Sequence, residues 1–422
     1  MNLPETIVAG IFLALYGWTA YNTPALVSGL ARLIREKDET SRIPSKYPSF
    51  SIIVAAKNEA SVVGRLLQRL IALDYRGRYE VIVIEDGSQD ETQTICESYA
   101  ARRPELIKFF HRDVSNGKPA ALNFGASKAS GDVIAVIDAD SVPDVNFLTN
   151  AAAYFSDSGV SAVQGMTRSI NRDENFITKI GAYEDEAWFK IYMRGKDALR
   201  LFVPLTGSCG FIRKDVLQEL HGWDEASITE DVELAARLVK RGFSIRYAPE
   251  VRSWQETAST VMRLARQKTR WFRGYVDTLA RYGSLLTRPN KLNLDAEATL
   301  SGPIVLTICL ASYFTSVYGM FFPSSFLGKL PILLADAASI LTVFTFAICG
   351  LALFYHTRPR KLRNLAWIPG VFLYWFFQAF LAATAVLLFL LRRPSRWTRT
   401  PKTGAVTVNL DSQTTLNLKP PP

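Results

Sequence analysis

At 422 residues and a formal net charge of +10, the chain is long enough for two or three domains and basic enough to favour an anionic partner. Three histidines and four cysteines (Cys96, Cys209, Cys309, Cys349), with no C-x-x-C spacing, argue against a zinc centre or a disulfide framework. The cationic residues crowd beside apolar runs. That is the bias of a membrane protein rather than of a nucleic-acid binder.

The first apolar stretch covers residues 5–31. A cleaved signal peptide would carry its basic residues in front, but here Arg32, Arg35 and Lys37 follow. The pattern predicts an uncleaved anchor with its C-terminal end in the cytoplasm. From residue 45 to about 290 the composition is globular. "SFSIIVAAKN" (49–58) predicts a strand and "EASVVGRLLQRLIAL" a helix. "YEVIVIEDGS" (79–88) predicts a second strand, "DETQTICESYAARR" a second helix and "LIKFFHR" a third strand. "GKPAALNFGASKA" is helical, and "DVIAVIDADSVPD" (132–144) predicts a fourth strand. This order predicts a parallel sheet with helices on both faces and ligands beyond the carboxyl ends of the strands. Asn58, Glu59, Glu85, Asp86, Asp138 and Asp140 fall there. No Gly-rich dinucleotide fingerprint or phosphate loop is present.

The acids need a reason. Two carboxylates one residue apart in "DAD" can approach one hard cation if the chain turns, although an Asp-rich turn after a strand is common without any ion. "EDGSQDET" is also ordinary turn chemistry. In "SITEDVELAARLVKRGF" (227–243), acids in a first helical turn suit the helix dipole. Asp231 there could also serve as a general base. In "RQKTRWFRGY" (266–275), a helix puts Gln267, Arg270, Trp271 and Gly274 on one face and Lys268 elsewhere. Such a face offers an amide, a guanidinium and a flat ring to one ligand.

Three more apolar runs, near 300–322, 331–355 and 367–391, are each long enough to cross roughly 30 Å of hydrocarbon. The basic "HTRPRKLRN" predicts a cytoplasmic turn, and the nearly uncharged "FPSSFLGK" an outside one. Three full crossings would then place the basic "RRPSRWTRTPK" outside, against the charge rule. The remaining residues to Pro422 suggest a polar, disordered tail.

Taken in order, "IVAAKNEA", "VIVIEDGSQDET", "GKPAALNFG", "VIDADS", "TGSCGFIRKDVLQELHGWDE", "ITEDVELAARLVKRGF" and "RQKTRWFRG" resemble the membrane-embedded family 2 glycosyltransferases. Within these the chain looks like the processive synthases of cellulose, hyaluronan and poly-N-acetylglucosamine. The family signature of D, DxD, TED and QxxRW is complete. The resemblance implies an α/β GT-A (Rossmann-like) catalytic domain on the cytoplasmic side of the cell membrane, with α-helical transmembrane segments. The implied layout is an anchor at 1–32, the GT-A domain at 45–275, an interfacial helical linker at 276–299, membrane helices at 300–391, and a basic, then disordered tail at 392–422. It also implies roles. Asn58 and Glu59 lie in the nucleotide pocket, with Asp86 beside the uracil, and Lys118 reaches the diphosphate. Asp138 and Asp140 hold the donor and Mg2+ or Mn2+. Gly207 and Ser208 lie near the acceptor. Asp231 is the base, grouped with Glu230 and Asp140 in the catalytic set. Gln267, Arg270 and Trp271 cover the diphosphate and the acceptor sugar.

The implied reaction inverts the anomeric carbon and moves a sugar from a UDP-sugar to a growing polysaccharide, coupled to translocation of the product. The alternative is a single transfer to a lipid acceptor. The expected partners are the UDP-sugar, a carbohydrate or lipid acceptor and membrane lipids, with no nucleic acid. Two departures stand out. "VAAKNE" lacks a proline that many relatives have, and Cys209 interrupts the acceptor segment "TGSCGF", so sugar identity does not transfer. The tail is too short for a cyclic-dinucleotide-binding barrel.

Overall fold

The structure, a computed structural model, describes residues 3–35, 44–283, 290–321, 367–394 and 400–408. In chain order its helices are α1 (Leu3–Arg35), α2 (Val63–Ile71), α3 (Thr92–Arg102), α4 (Lys118–Lys128), α5 (Phe147–Phe155), α6 (Phe176–Ala187), α7 (Arg194–Ala198), α8 (Lys214–Glu219), α9 (Glu230–Lys240), α10 (Val261–Tyr282), α11 (Lys291–Leu300), α12 (Gly302–Phe321) and α13 (Ile368–Leu390). Its strands are β1 (Phe50–Ala56), β2 (Tyr79–Glu85), β3 (Ile107–His111), β4 (Val133–Val136), β5 (Val142–Pro143), β6 (Ala162–Ser169), β7 (Gly210–Arg213) and β8 (Ile245–Gln255). The chain divides into two units. One carries the sheet (36–185, 202–263, 396–422) and the other is helical (1–35, 186–201, 264–395).

Among the described residues the strand order is β3-β2-β1-β4-β7-β6-β8-β5. The first four strands are parallel, as their alternation with helices predicts. β1 and β2 are covered on both faces, so they read as unbroken apolar runs: Ile52, Ile53, Val54, Val81, Ile82 and Val83 are fully buried. On α2, Val63, Leu66, Leu67 and Leu70 recur at helical spacing and enter the same core. Each such side chain contributes roughly 1.5–3 kcal/mol of burial free energy. α4 lies so close to β1 that a Cβ on Gly125 would sit 2.7 Å from Ile53 Cγ2.

Two expectations are corrected. The fourth strand stops pairing in parallel at Val136, well short of residue 144. Asp138, Ala139, Asp140 and Ser141 turn instead, the Ser141 amide donating to the Asp138 carbonyl at 3.0 Å. The sheet is also mixed, because β7 runs antiparallel between β4 and β6. Gly207 and Cys209, both in the left-handed region (φ 74° and 58°), turn the chain into β7 against its neighbours.

In the helical unit, α1 bonds back on itself. Thr19 Oγ1 donates to the Leu15 carbonyl at 2.9 Å and Asn22 Nδ2 to that of Trp18 at 2.8 Å. The helix crosses the start of α7 at backbone contact: a Cβ on Gly195 would lie 1.8 Å from the Ala25 carbonyl oxygen. α12 and α13 pack through aromatic edges, with Tyr313 against Phe376 at 5.3 Å between centroids. Among the described residues one helix alone, Ile368–Leu390, is long and apolar enough to cross a membrane. A second counts if Lys291–Leu300 and Gly302–Phe314, bent by 52°, form one span. The expected anchor forms α1, which is not among these, and the expected span at 331–355 lies outside the described residues.

Candidate active site

The acids at the carboxyl ends of β1, β2 and β4 gather with the first turns of α4 and α9 in the sheet-bearing unit. The hub is Lys118, the first residue of α4. Its ammonium lies 2.7 Å from Asp138 Oδ1, 3.1 Å from Glu230 Oε1 and 2.9 Å from the Gly207 carbonyl. Burial alone would lower its pKa, but Asp138, Glu230 and Asp231 hold it above the ordinary lysine value.

The two aspartates of the DAD turn differ. Burial, with Lys118 opposing, raises Asp138. Burial also works against ionised Asp140, yet Lys402, the Glu256 amide and Arg65 outweigh it and hold Asp140 low. Lys402 Nζ lies 2.7 Å from Asp140 Oδ2, and the Glu256 amide donates to the same oxygen at 3.2 Å. Among the described residues no group of three or more His, Cys, Asp or Glu side chains could hold a metal alone. The two carboxylates of the turn are oxygen donors of the kind a hard divalent cation takes, and in this structure each is paired with an ammonium, Lys118 on Asp138 and Lys402 on Asp140.

Asp231 stands in the first turn of α9. Burial, and then its neighbour Glu230, push its carboxyl up to about 7, against the pull of Lys118 and of backbone N–H groups at the helix start. Gly207 comes close because it has no side chain: a Cβ there would lie 3.0 Å from Asp231 Oδ2. Glu230, Asp231 and Gly207 share a small pocket whose other walls include Val136, Leu205 and Trp223. A carboxylate near neutral pKa facing a pocket beside a fixed cation can accept a proton from a hydroxyl.

The expected nucleotide residues lie nearby. Asn58 is left-handed (φ 55°); its amide donates to Ser88 Oγ at 2.9 Å, and its Oδ1 accepts from the Gln89 amide at 2.7 Å. The Glu59 amide donates to Thr92 Oγ1 at 2.7 Å, so β1 and β2 end in one tied pair of turns. Asp86 is buried, and its carboxylate is held by Ser115 Oγ and by Arg112 Nη1 at 3.2 Å. Ser208, expected near the acceptor, is 1% exposed. Its hydroxyl accepts from the Asp138 amide at 3.1 Å and meets Ser141 Oγ at 3.2 Å, so it braces the DAD turn.

Gln267, Arg270 and Trp271 lie on the α10 portion that belongs to the helical unit. The expected separation of Lys268 from that face is corrected. Its ammonium lies 4.7 Å from the centre of the Trp271 ring, since residues three apart on a helix are neighbours. Farther along, Arg273 bonds Asp277 at 2.9 Å and stacks on Phe389 of α13 at 5.3 Å.

Several residues at the site escaped the sequence. Gln164 is fully buried and holds the segment before β7. Its Oε1 accepts from the Thr206 amide at 2.9 Å, and its Nε2 donates to the Ser208 carbonyl at 3.0 Å. Arg112, Arg65, Glu256 and Lys402 were missed too. No periodicity or spacing marks them, because each acts through a contact distant in sequence. The residues after the basic run, expected to be disordered, are bonded to the sheet-bearing unit at Thr403, Gly404 and Thr407.

Residues 48–274 match the model of "Glycosyltransferase like family 2". The chain is 31% identical over 239 residues to a probable glycosyltransferase, YdaM, of Bacillus subtilis (strain 168), covering 54% of this chain and 56% of that protein. It is 32% identical over 261 residues to a beta-monoglucosyldiacylglycerol synthase of Nostoc sp. (strain PCC 7120 / SAG 25.82 / UTEX 2576), covering 60% and 54%. It is 26% identical over 371 residues to a poly-beta-1,6-N-acetyl-D-glucosamine synthase of Staphylococcus epidermidis, covering 82% and 84%. Against the first two of these the match spans about half of the relative's length. Among solved structures, the mannosyltransferase PcManGT from Pyrobaculum calidifontis, in complex with GDP-Man and Mn2+, superposes with a TM-score of 0.62 at 20% identity, covering 93% of this chain and all of that one. That likeness identifies the mixed sheet as the GT-A, Rossmann-like fold. The family model takes in more than half of the chain, and the chain belongs to the glycosyltransferase-like family 2.

Proposed function

We propose that this protein is an inverting hexosyltransferase that moves a sugar from a UDP-sugar to a hydroxyl of a growing polysaccharide. One observation carries the reading. Asp231, raised to about 7, lines a pocket within the field of Lys118, and that ammonium pairs with Asp138 of the DAD turn. The acceptor hydroxyl gives its proton to Asp231 as its oxygen attacks the anomeric carbon. The bond from that carbon to the diphosphate breaks on the opposite face, so the configuration inverts and UDP leaves. General-base help of this kind is worth roughly 10²–10⁴ in rate. Lys118 offsets part of the charge that develops on the leaving group. Asp138 and Asp140 would hold Mg2+ or Mn2+, which when bound would supply further positive charge at the diphosphate.

Asn58, Glu59 and Asp86 are assigned to the nucleotide, with Arg112 and Ser115 fixing Asp86. Gly207, with Ser208 behind it, is assigned to the acceptor side. Gln267, Arg270 and Trp271 are carried forward as donor and acceptor residues on their motif alone. We assign residues 1–32, 276–299 and 300–391 to the anchor, the interfacial linker and the membrane helices of a cell-membrane protein with a cytoplasmic catalytic domain.

A second reading, transfer of one sugar to a lipid, is favoured by the 32% identity to a beta-monoglucosyldiacylglycerol synthase. The longer match to the poly-beta-1,6-N-acetyl-D-glucosamine synthase, over 82% of the chain, favours polymer. Product size from purified protein supplied with UDP-sugars and lipid separates the two. A ladder of long chains supports the first reading, and a single glycolipid replaces it with the second.

A further inference from the structure

β3 ends beside the turn that carries Asp86, and one histidine joins the two. Glu85, the last residue of β2, is fully buried, and its carboxylate is divided between two partners. Oε1 accepts from the Ser88 amide at 2.5 Å, and Oε2 meets His111 Nδ1 at 2.5 Å. The other ring nitrogen, Nε2, lies 3.2 Å from Asp113 Oδ1. Ser88 carries the contact onward. Its hydroxyl accepts from the Asn58 amide at 2.9 Å, and Asn58 Oδ1 accepts from the Gln89 amide at 2.7 Å. Between Glu85 and Ser88, Gly87 is left-handed (φ 70°) and lies so near the end of β3 that a Cβ would sit 3.2 Å from the Asp113 carbonyl oxygen. The Arg112 amide donates to the Glu85 carbonyl at 2.9 Å. Asp86 stands inside this frame, held by Arg112 and Ser115.

A buried carboxylate is costly unless it is paired and hydrogen-bonded. For Glu85 the group that can supply the opposite charge at contact is the His111 ring. The charges acting on that ring are Glu85 from β2 and Asp113 from its own loop. The bond to Glu85 raises His111 above its ordinary value against the cost of burial, and Asp113 adds to the rise. From α3, the Cys96 thiol also feels Glu85. Burial first, and then Glu85, Glu97 and Asp90, push that thiol up and keep it neutral. We propose that His111 is a positioning residue for the donor: through Glu85 it holds the 85–88 turn, and with it Asn58 and Asp86, in the arrangement that receives the nucleotide. The inference rests on the reading of Asn58 and Asp86 as nucleotide residues. At low pH the imidazolium offsets the buried carboxylate. As pH rises through the raised His111 value, the neutral ring keeps one hydrogen bond but leaves the charge of Glu85 unbalanced. The turn then loosens, and affinity for the donor falls.

The test is UDP binding to the full chain in detergent with Mn2+, measured by titration calorimetry at about pH 6 and about pH 8.5, on either side of the ordinary histidine range. Each variant is read as the ratio of its two affinities against the wild-type ratio, which cancels the titration of UDP itself and of Asp231. His111→Gln keeps a hydrogen bond to Glu85 without the charge. Wild type is expected to lose roughly fivefold more affinity over this range than His111→Gln does. Glu85→Gln removes the charge from the other partner and should show the same reduced ratio; it carries the test if His111→Gln does not fold. Asp86→Ala should weaken UDP binding at both pH values. If Asp86→Ala does so while His111→Gln, or Glu85→Gln in its place, keeps the wild-type ratio, the positioning role is overturned and the nucleotide reading stands. If Asp86→Ala binds UDP as wild type does, the nucleotide reading fails and the inference fails with it. A loss of affinity in His111→Gln that is equal at both pH values marks a structural residue only and also overturns the inference.

Discussion

Replacing Asp231 by Asn separates the chemistry from the fold, because the same burial that makes the carboxyl a base also makes its ionisation costly. In the folded chain the group is raised from 3.8 to about 7. Between those values the unfolded chain has released its proton and the folded chain has not. Stability therefore falls as pH rises through that window, and the loss is complete above about 7. At about 1.36 kcal/mol per pH unit, the fold gives up about 4 kcal/mol by pH 8, an upper figure for a site that water partly reaches. Asn cannot ionise. Asp231→Asn should therefore melt higher than wild type at pH 8, by several degrees, and close to wild type near pH 4. Transfer should meanwhile fall by roughly 10²–10⁴, with donor binding retained. Thermal unfolding of both proteins across pH 4–8, alongside a transfer assay, reads both effects. Melting curves that stay parallel across that range, or near-normal turnover in the variant, would refute the reasoning.

Glu230→Gln removes the neighbouring charge that helps to raise Asp231, so the rising limb of the pH–rate profile should move toward acid; an unmoved limb removes Glu230 from that role. Gly207→Ala places a methyl 3.0 Å from Asp231 Oδ2 on a left-handed backbone, so activity should fall at least tenfold, with a fold cost of about 1–2 kcal/mol by denaturant titration. Gln164→Leu leaves the half-buried Thr206 amide without the acceptor it uses, at a cost of about 1–3 kcal/mol by the same titration. Arg112→Ala leaves the Asp86 carboxylate held by Ser115 alone, so the donor KM should rise more than kcat falls, as steady-state kinetics would read. Glu80 resists burial through hydrogen bonds from Lys108, Ser130 and Ser51 that hold it at about 2. Its stabilisation should be present above pH 4.5 and lost as pH falls toward 2, and Glu80→Gln should flatten that part of the acid unfolding curve.

The first half of the sheet was legible because β1, β2 and β4 are buried on both faces and so had to be apolar, each ending where the chain turned polar. The second half was not. β6 reads "AVQGMTRS", with Gln164, Thr167 and Ser169 buried among its apolar residues, so it shows no apolar alternation. β5 is two residues long and exists only through its pairing with β8. At the site, Asp138, Asp140, Lys118, Glu230 and Asp231 could be named because they lie at strand ends and helix starts, where a sheet of this kind exposes its chemistry. Ser208 was placed toward the acceptor, although its hydroxyl braces the DAD turn. Lys402 lay at the end of the basic run "RRPSRWTRTPK", where its charge pointed to the membrane rather than to the site. Long-range contacts with Asp140 and Glu256 order it.

The central claim is sugar transfer from a nucleotide donor by this set of residues. It is tested most directly by UDP release from purified chain given Mg2+ or Mn2+ and a panel of UDP-hexoses, in parallel with Asp138→Asn and Asp231→Asn. Release with at least one donor in wild type, and its loss in both variants, is the predicted result. Silence across the panel, or release that both variants retain, would contradict the account.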